Sequence, residues 1–538
     1  MKIQNTRMIL LLVVLMITIF FISVPSYSQT FWHGDDIADA GMDLYNPDRV
    51  DRDGNPDPID RRGEMEAIHN AIVTGMTDLA STPTGFPTGD NVNDEHRGLR
   101  IYEPKEAWNG YTLLNCFTPT GTDPNGNNVL VDMEGNIVNA WMIPGQAYFS
   151  AAKALPGGHI VASWVYPDAE GGGKLTQLNW DGEIVKQWET NSHHDHEWEG
   201  SPCGYFTPGA EPVVEGGKVL VLESTRPDPN LTKQISIKFI KDDRIRELDW
   251  DGNVLFEWYA WENFEQFGLD EWAKAGLDLG RNYEGPDFMA DMLPEDWSHG
   301  NAVAWCGQNK WYDQGDLRFH PDNIIADFRS LNITIIIARH DHPEGEWVSG
   351  DVIWQLGPDY STAGDNYMVG QIIGQHQAHM IPKSLPGAGN MLIFDNGGAA
   401  GYGALVKGLR DADGNPLGFW PNKFRMFSRV LEINPVTKQV VWEFKQPRLS
   451  EDLNGDGKIL GNEKLFFSNL MSGMQRLPNG NTLICESDPG RVFEVTKTGK
   501  VVWEFAPPWI RAQGMFGGAI YRAYRVPASW VPEKLLNE

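Results

Sequence analysis

The sequence predicts an all-β chain folded as a six-bladed β-propeller, with an N-terminal extension and long inter-strand insertions. Two repeated phrases and one terminal strand predict it. The first phrase is a turn, an apolar strand and a Trp. Gly135-Asn136-Ile137-Val138 leads to Trp141, Gly182-Glu183-Ile184-Val185 to Trp188, and Gly252-Asn253-Val254-Leu255 to Trp258. Gly350-Asp351-Val352-Ile353 leads to Trp354, Thr437-Lys438-Gln439-Val440-Val441 to Trp442, and Gly499-Lys500-Val501-Val502 to Trp503. The second phrase is a tight turn before another apolar strand. It reads Leu155-Pro156-Gly157-Gly158-His159-Ile160, Glu215-Gly216-Gly217-Lys218-Val219 and His320-Pro321-Asp322-Asn323-Ile324. It returns as Leu385-Pro386-Gly387-Ala388-Gly389-Asn390-Met391 and Leu477-Pro478-Asn479-Gly480-Asn481-Thr482. Gly-Gly and Asn-Gly supply the positive φ that short hairpins require. Two hairpin turns per unit make a four-stranded antiparallel blade, and a sandwich has no cause to repeat one phrase six times. The Trp spacing runs from 47 residues (Trp141 to Trp188) to 96 (Trp258 to Trp354), so some blades carry long insertions. The apolar segment Ile520-Tyr521-Arg522-Ala523-Tyr524-Arg525-Val526 is expected to close the ring.

The chain divides into residues 1–28, 29–105 and 106–538. Lys2 and Arg7 precede an apolar run from Met8 to Val24, and Ser26-Tyr27-Ser28 offers small residues two apart. That pattern is a secretory signal peptide cleaved after Ser28; the run is short for a spanning helix, so an uncleaved anchor is the weaker reading. The expected location is therefore outside the cytoplasm, periplasmic or secreted, with no stable membrane insertion. Residues 29–105 are rich in Asp, Asn, Pro and Gly and read as an extension packed on the propeller, with an amphipathic helix from Glu64 to Leu79. The 538-residue chain carries a formal net charge of −29, which repels nucleic acid and anionic lipid and excludes both as partners. An anionic substrate would need a local basic cluster. Cys116, Cys203, Cys306 and Cys485 match no zinc spacing, and either three disulfide pairings or buried free thiols are open.

Histidines cluster where units begin. Asp296-Trp297-Ser298-His299-Gly300-Asn301 opens the fourth unit, Gly374-Gln375-His376-Gln377-Ala378-His379 the fifth and His193-His194-Asp195-His196 the third. Innermost strands of a propeller surround its axis, so equivalent positions converge there although far apart in sequence. These phrases resemble the arylsulfotransferase family of exported bacterial six-bladed propellers. The resemblance covers about Tyr111 to Val526. It rests on Asp296 to Asn301, on Ala326-Asp327-Phe328-Arg329-Ser330-Leu331-Asn332, on Gln375-His376 with Leu392-Ile393-Phe394-Asp395-Asn396-Gly397, and on Leu477 to Thr482. It implies transfer of sulfate from a phenolic sulfate ester to a phenol at the channel, with no catalytic cofactor. It also implies a transiently sulfated His, with His, Asn and Arg side chains on the sulfuryl oxygens. His299, Asn301 and His376 match the family's motifs, and Arg329 is the cation carried into the candidate site. Two positions depart from the pattern. The family's last-blade His has no counterpart in Cys485-Glu486-Ser487-Asp488-Pro489-Gly490-Arg491, and its Arg after Asp-Asn-Gly is replaced by Gly398-Ala399-Ala400. Arg429 and Arg491 are further candidates for the missing charge.

A second site stands apart. Asp452-Leu453-Asn454-Gly455-Asp456-Gly457-Lys458-Ile459-Leu460-Gly461-Asn462-Glu463 fits the twelve-residue EF-hand loop. Asp452, Asn454 and Asp456 fall at ligand positions 1, 3 and 5, Lys458 offers its carbonyl at 7, and Glu463 chelates at 12. The expectation is one structural Ca2+. Two other functions remain open at this level: a metal-dependent lyase or hydrolase with axial His ligands, and a non-catalytic ligand-binding propeller.

Overall fold

The computed structural model describes residues 97–116, 128–142, 151–163, 174–236, 239–280, 296–361, 365–445 apart from scattered positions between 405 and 426, 466–510 and 519–532. The expected signal peptide at residues 1–28, the expected helix at Glu64 to Leu79 and the expected calcium loop from Asp452 to Glu463 lie outside these residues. Six four-stranded antiparallel sheets follow one another along the chain as the blades of a propeller. The first blade is made of Tyr111–Cys116, Asn128–Val131 and Ile137–Trp141, and the C-terminal Ile520–Val526 supplies its innermost strand. Leu113 lies opposite Tyr524, so the last strand of the chain closes the ring on the first, as expected from its apolar sequence. The other five innermost strands are Ala152–Leu155, Ser192–Trp198, Gly300–Trp305, His376–Met380 and Gly473–Arg476. Gly98–Tyr102, from the end of the N-terminal extension, pairs with Val501–Ala506 and adds a fifth strand to the sixth blade.

The repeated Trp is the staple between neighbouring blades. Each sits on the fourth strand of its blade, counted from the axis, and donates its indole N–H to a carbonyl in the turn before the fourth strand of the next. Trp141 reaches Asn179 at 2.8 Å, Trp188 reaches Trp250 at 3.1 Å, and Trp258 reaches Gly350 at 2.9 Å. Trp354 reaches Pro435 at 2.7 Å, Trp442 reaches Lys497 at 2.8 Å, and Trp503 returns to Met133 of the first blade at 2.9 Å. All but Trp442 are buried. A large ring fills the wedge between diverging sheets while its N–H satisfies a turn carbonyl, which explains why the residue recurs where it does.

A second ring of contacts runs around the axis. Innermost strands splay too far apart to pair, so their edge N–H groups need other acceptors. Polar side chains provide them. Asp195 accepts from Val303 N at 3.2 Å, Asp327 from Ala378 N at 2.8 Å, and Gln377 from Met474 N at 2.8 Å. Gln475 accepts from Arg525 N at 2.6 Å and Asn115 from Ala152 N at 3.0 Å. Between the second and third blades the backbone does it directly, Ala151 N to His194 O at 3.0 Å. Arg525 also anchors the closing strand, pairing with Glu494 at 3.1 Å and lying 4.6 Å over the Trp503 ring.

The four cysteines are buried and none is joined in a disulfide, which settles the open pairing in favour of thiols. Two insertions rise at the end of the propeller where the innermost strands begin. One, before Gly300, holds the short helix Glu271–Gly280 and packs Phe264 and Phe267 against Trp297. The other, within the fifth blade, holds the hairpin Gly398–Ala400 with Lys423–Arg425. Among the described residues no helix is long and apolar enough to cross a membrane.

Candidate active site at the channel mouth

The innermost strands of blades three to six share a local distortion where they begin. His194, His299, Gln377 and Met471 take left-handed backbone conformations, with φ of 57°, 48°, 52° and 57°. Pairing slips at Gly300/Ala302 and at His376/His379. A non-Gly residue in this region costs about 1–3 kcal/mol and persists where surrounding structure enforces it. Here the bulges re-aim side chains towards the axis at one end of the channel.

They bring His194, His299 and His376 together from three blades. His299 Nδ1 lies 2.7 Å from Asp296 Oδ2, and its Nε2 lies 3.2 Å from Nε2 of His194. Lys241 pairs with the same Asp296 oxygen at 3.1 Å. Burial opposes ionisation of Asp296, but the charges of Lys241, His299 and His193 outweigh it and hold the carboxyl far below its ordinary range. Carboxylate, imidazole and imidazole thus stand in a row, an arrangement that can pass a proton along its length. His193 sits beside it, 3.1 Å from Asp243, which also accepts from Ser298 Oγ at 2.5 Å and Gly300 N at 2.6 Å.

His376 is held differently. Its Nδ1 lies 3.0 Å from the Gly374 carbonyl and 2.7 Å from Asn396 Oδ1. The Asn396 amide donates to the carbonyls of Ser468 at 2.8 Å and Met471 at 2.5 Å, so its oxygen is the atom that faces the ring. Both partners of Nδ1 are acceptors; Nδ1 therefore carries the hydrogen and Nε2 the lone pair. Burial, then the charges of Arg522 and Arg329, push His376 well below its ordinary pKa, against the Asn396 hydrogen bond. A buried neutral imidazole with a fixed tautomer and its lone pair at Nε2 is a prepared nucleophile.

Arg522 was not singled out by sequence reasoning. It lies on the closing strand, fully buried, and donates to Asn301 O at 3.1 Å. Its guanidinium lies 5.1 Å over the Tyr521 ring, and that ring stacks at 5.9 Å on His194. Gly473 leaves room for it: a Cβ there would meet Gln377 Oε1 at 2.2 Å and Arg522 Cδ at 2.9 Å. Asn301 links the parts, because its side-chain amide also donates to Gln375 O at 2.9 Å, one residue before His376. Arg329 is buried, its backbone N–H bonded to His299 O at 3.0 Å, and a Cβ on Gly374 would lie 3.6 Å from its Nε. Burial lowers its pKa to about 10, against Asp296, Asp488 and Tyr402, so it stays charged.

The remaining arginines are structural. Arg429 is paired with Asp395 at 2.6 Å, and Arg491 with Glu486 at 3.0 Å and Glu504 at 3.1 Å. Asp488 occupies the last-blade stretch where the resemblance places a His. Burial lifts it to about 7, against hydrogen bonds from Leu470 N and Asn469 N. The structure therefore groups His299, His376, Asn301 and Arg329 and adds His194, Asn396 and Arg522. Signals for all three were present: the histidine run His193 to His196 at a unit start, the Asp395-Asn396-Gly397 phrase, and an arginine pair inside an otherwise apolar closing strand.

A family model described as arylsulfotransferase (ASST) matches residues 151–507. The matched stretch contains His194, His299, His376 and Asn396 and stops before Arg522. No curated protein matches the chain. Among solved structures, a protein of unknown function from Bacteroides caccae is 12% identical, with TM-score 0.39, over 78% of this chain and 99% of that one. A putative 6-phosphogluconolactonase from Bacteroides fragilis is 9% identical, with TM-score 0.33, over 78% and 98%. A streptogramin B lyase is 12% identical, with TM-score 0.30, over 76% and 82%.

Proposed function

The chain belongs to the arylsulfotransferase family, and from that membership we propose that it moves a sulfuryl group from a phenolic sulfate ester to a phenol at this channel mouth. One observation carries the assignment of the nucleophile: His376 is neutral, its Nδ1–H is pinned by Asn396, and two buried guanidinium groups act on it. His376 takes the part that a last-blade His plays elsewhere in the family. Its Nε2 lone pair attacks sulfur, the bond from sulfur to the aryl oxygen breaks, and the phenolate leaves with the electron pair. The Asp296–His299–His194 row supplies a proton to that oxygen and later takes one from the acceptor phenol. In the second half the acceptor oxygen attacks sulfur and the N–S bond breaks, returning the pair to Nε2. Arg522 and Arg329 offset charge on the sulfuryl oxygens. Asn301 positions His376 and Arg522 through its two hydrogen bonds. The signal sequence read at residues 1–28 supports an exported enzyme.

The metal-dependent alternative draws less support. Among the described residues, the grouping of three donors close enough to share an ion is His320, Asp322 and His340, none of them at the channel mouth. The test is incubation with 4-nitrophenyl sulfate, with and without phenol. The expected result is nitrophenol release, and with donor alone a protein mass increase of one sulfuryl group that acid removes. His376→Ala is expected to abolish the label. Turnover with strict acceptor dependence and no label would replace the covalent route by direct transfer. No turnover under either condition would sink the sulfotransferase reading.

A further inference from the structure

We propose that His320, Asp322 and His340 form a binding site for one first-row transition-metal dication, on the propeller face opposite the channel mouth. The site is unrelated to the sulfuryl chemistry. His299 and His376 stand where innermost strands begin. His320 and Asp322 lie in the turn after the innermost strand Gly300–Trp305 has ended, and His340 follows the third strand of the same blade, Ile333–Ile337. Both turns therefore project from the far end of the fourth blade.

One donor atom from each of the three residues lies within 4.8 Å of the other two. The His340 Nε2 to Asp322 Oδ2 distance is 3.1 Å, and the two imidazole centroids are 4.8 Å apart at 73°. A tetrahedral ion with legs of about 2.0–2.1 Å to nitrogen and oxygen needs donors about 3.3–3.4 Å apart. One edge is already near that length; shortening the others takes side-chain rotation in two half-open turns, and ligation through His320 Nδ1 would give up the bond it accepts from Asp322 N at 3.2 Å. A cation there would take the place of the contact between His340 and Asp322.

The backbone carrying the donors is fixed. Asn323 is buried between the turns. Its side-chain amide donates to Leu317 O at 3.3 Å and Arg318 O at 3.0 Å, and its side-chain oxygen accepts from Arg339 N at 2.9 Å. One buried side chain thus ties the His320–Asp322 turn to the residue before His340. On its other side the His320 ring meets Tyr312 edge to face at 4.8 Å. The nearby cation Lys218 is drawn onto Glu247 at 2.5 Å. Two imidazoles with one carboxylate select zinc, cobalt, nickel or copper over calcium and magnesium, and three protein donors leave a position for water. The bound ion would clip two hairpin turns of one blade together.

The test is equilibrium dialysis of chelator-stripped full-length protein against zinc, with cobalt as a spectroscopic probe. The wild type is expected to bind one equivalent with a visible cobalt band. His340→Ala and Asp322→Asn, both at half-exposed side chains that the fold does not need, are each expected to weaken binding at least tenfold and to remove the band. Zinc should also raise the melting temperature of the wild type and not of the variants. Unchanged zinc affinity in both variants, or no stoichiometric binding by the wild type, would overturn the proposal.

Discussion

Replacing Arg522 by Met removes a positive charge from the channel without changing the length of the side chain much. Arg522 spends one N–H on the Asn301 carbonyl. Its Nε and Nη1 make no well-formed hydrogen bond to the described residues, although both are buried. A donor left in that state costs about 1–3 kcal/mol, which an arriving sulfuryl oxygen can recover. Loss of one preorganised donor at a developing anion lowers turnover by about 10²–10³-fold, or roughly 2.7–4 kcal/mol. We therefore expect Arg522→Met to cut kcat/KM for an aryl sulfate by that factor, and Arg522→Lys to recover part of it by keeping the charge. A second readout is independent of binding. After burial, Arg522 is the largest cause of the low His376 pKa. Without it the imidazole holds its proton to higher pH, so the acid limb of the kcat/KM profile should move upward in Arg522→Met and stay nearly in place in Arg522→Lys. The assay is phenol release measured across the pH range where the wild type remains folded. Activity of Arg522→Met within threefold of wild type, or an unmoved acid limb, would refute the placement of Arg522 against the reacting group.

Three further outcomes are expected. His379 is lowered from 6.5 to about 4, mainly by burial; a depressed folded pKa gives stability that is full above about 6.5 and is lost as pH falls towards 4. In urea melts His379→Gln should therefore lose stability less steeply than wild type across that window, by up to about 1.4 kcal/mol per pH unit, and parallel slopes would contradict the assignment. Trp354→Phe keeps a ring between blades but leaves the Pro435 carbonyl without its donor, for a loss of about 1–3 kcal/mol, whereas half-buried Trp442→Phe should lose less than about 1 kcal/mol; equal losses would show that the indole N–H is not what matters. Calcium should raise the melting temperature through the loop from Asp452 to Glu463, and Glu463→Gln should remove most of that rise; identical melts in calcium and in chelator would end the proposal.

Most of the architecture was legible because it is written in local chemistry repeated six times. Gly at positive φ marks the hairpins wherever they stand, and a Trp at the end of an outer strand recurs because every wedge between blades has the same shape. Even ring closure could be read from one apolar terminal segment. The site was only half legible. His299 and His376 stood in recognisable phrases, but the partner of His299 proved to be His194, one of three histidines within a four-residue run. Its orientation depends on a left-handed residue inside its strand. Asn396 was visible as part of a phrase; that its oxygen fixes the His376 tautomer depends on Ser468 and Met471 occupying its other end.

The arginines show where sequence stops. Arg329, Arg429, Arg491, Arg522 and Arg525 all lie in apolar strands or beside them, and nothing local separates them. Arg522 and Arg525 are three apart on one strand, so they point to opposite faces. Only the register with Tyr111–Cys116 and the approach of the sixth blade turn Arg522 to the channel and Arg525 onto Glu494. Arg429 and Arg491 are neutralised by carboxylates brought from other strands. The sequence alone determined that this chain repeats, turns and closes, because those are properties of neighbours along the backbone. The tertiary structure decided which charges meet an anion and which imidazole keeps its lone pair, because both depend on residues that only ring closure makes adjacent.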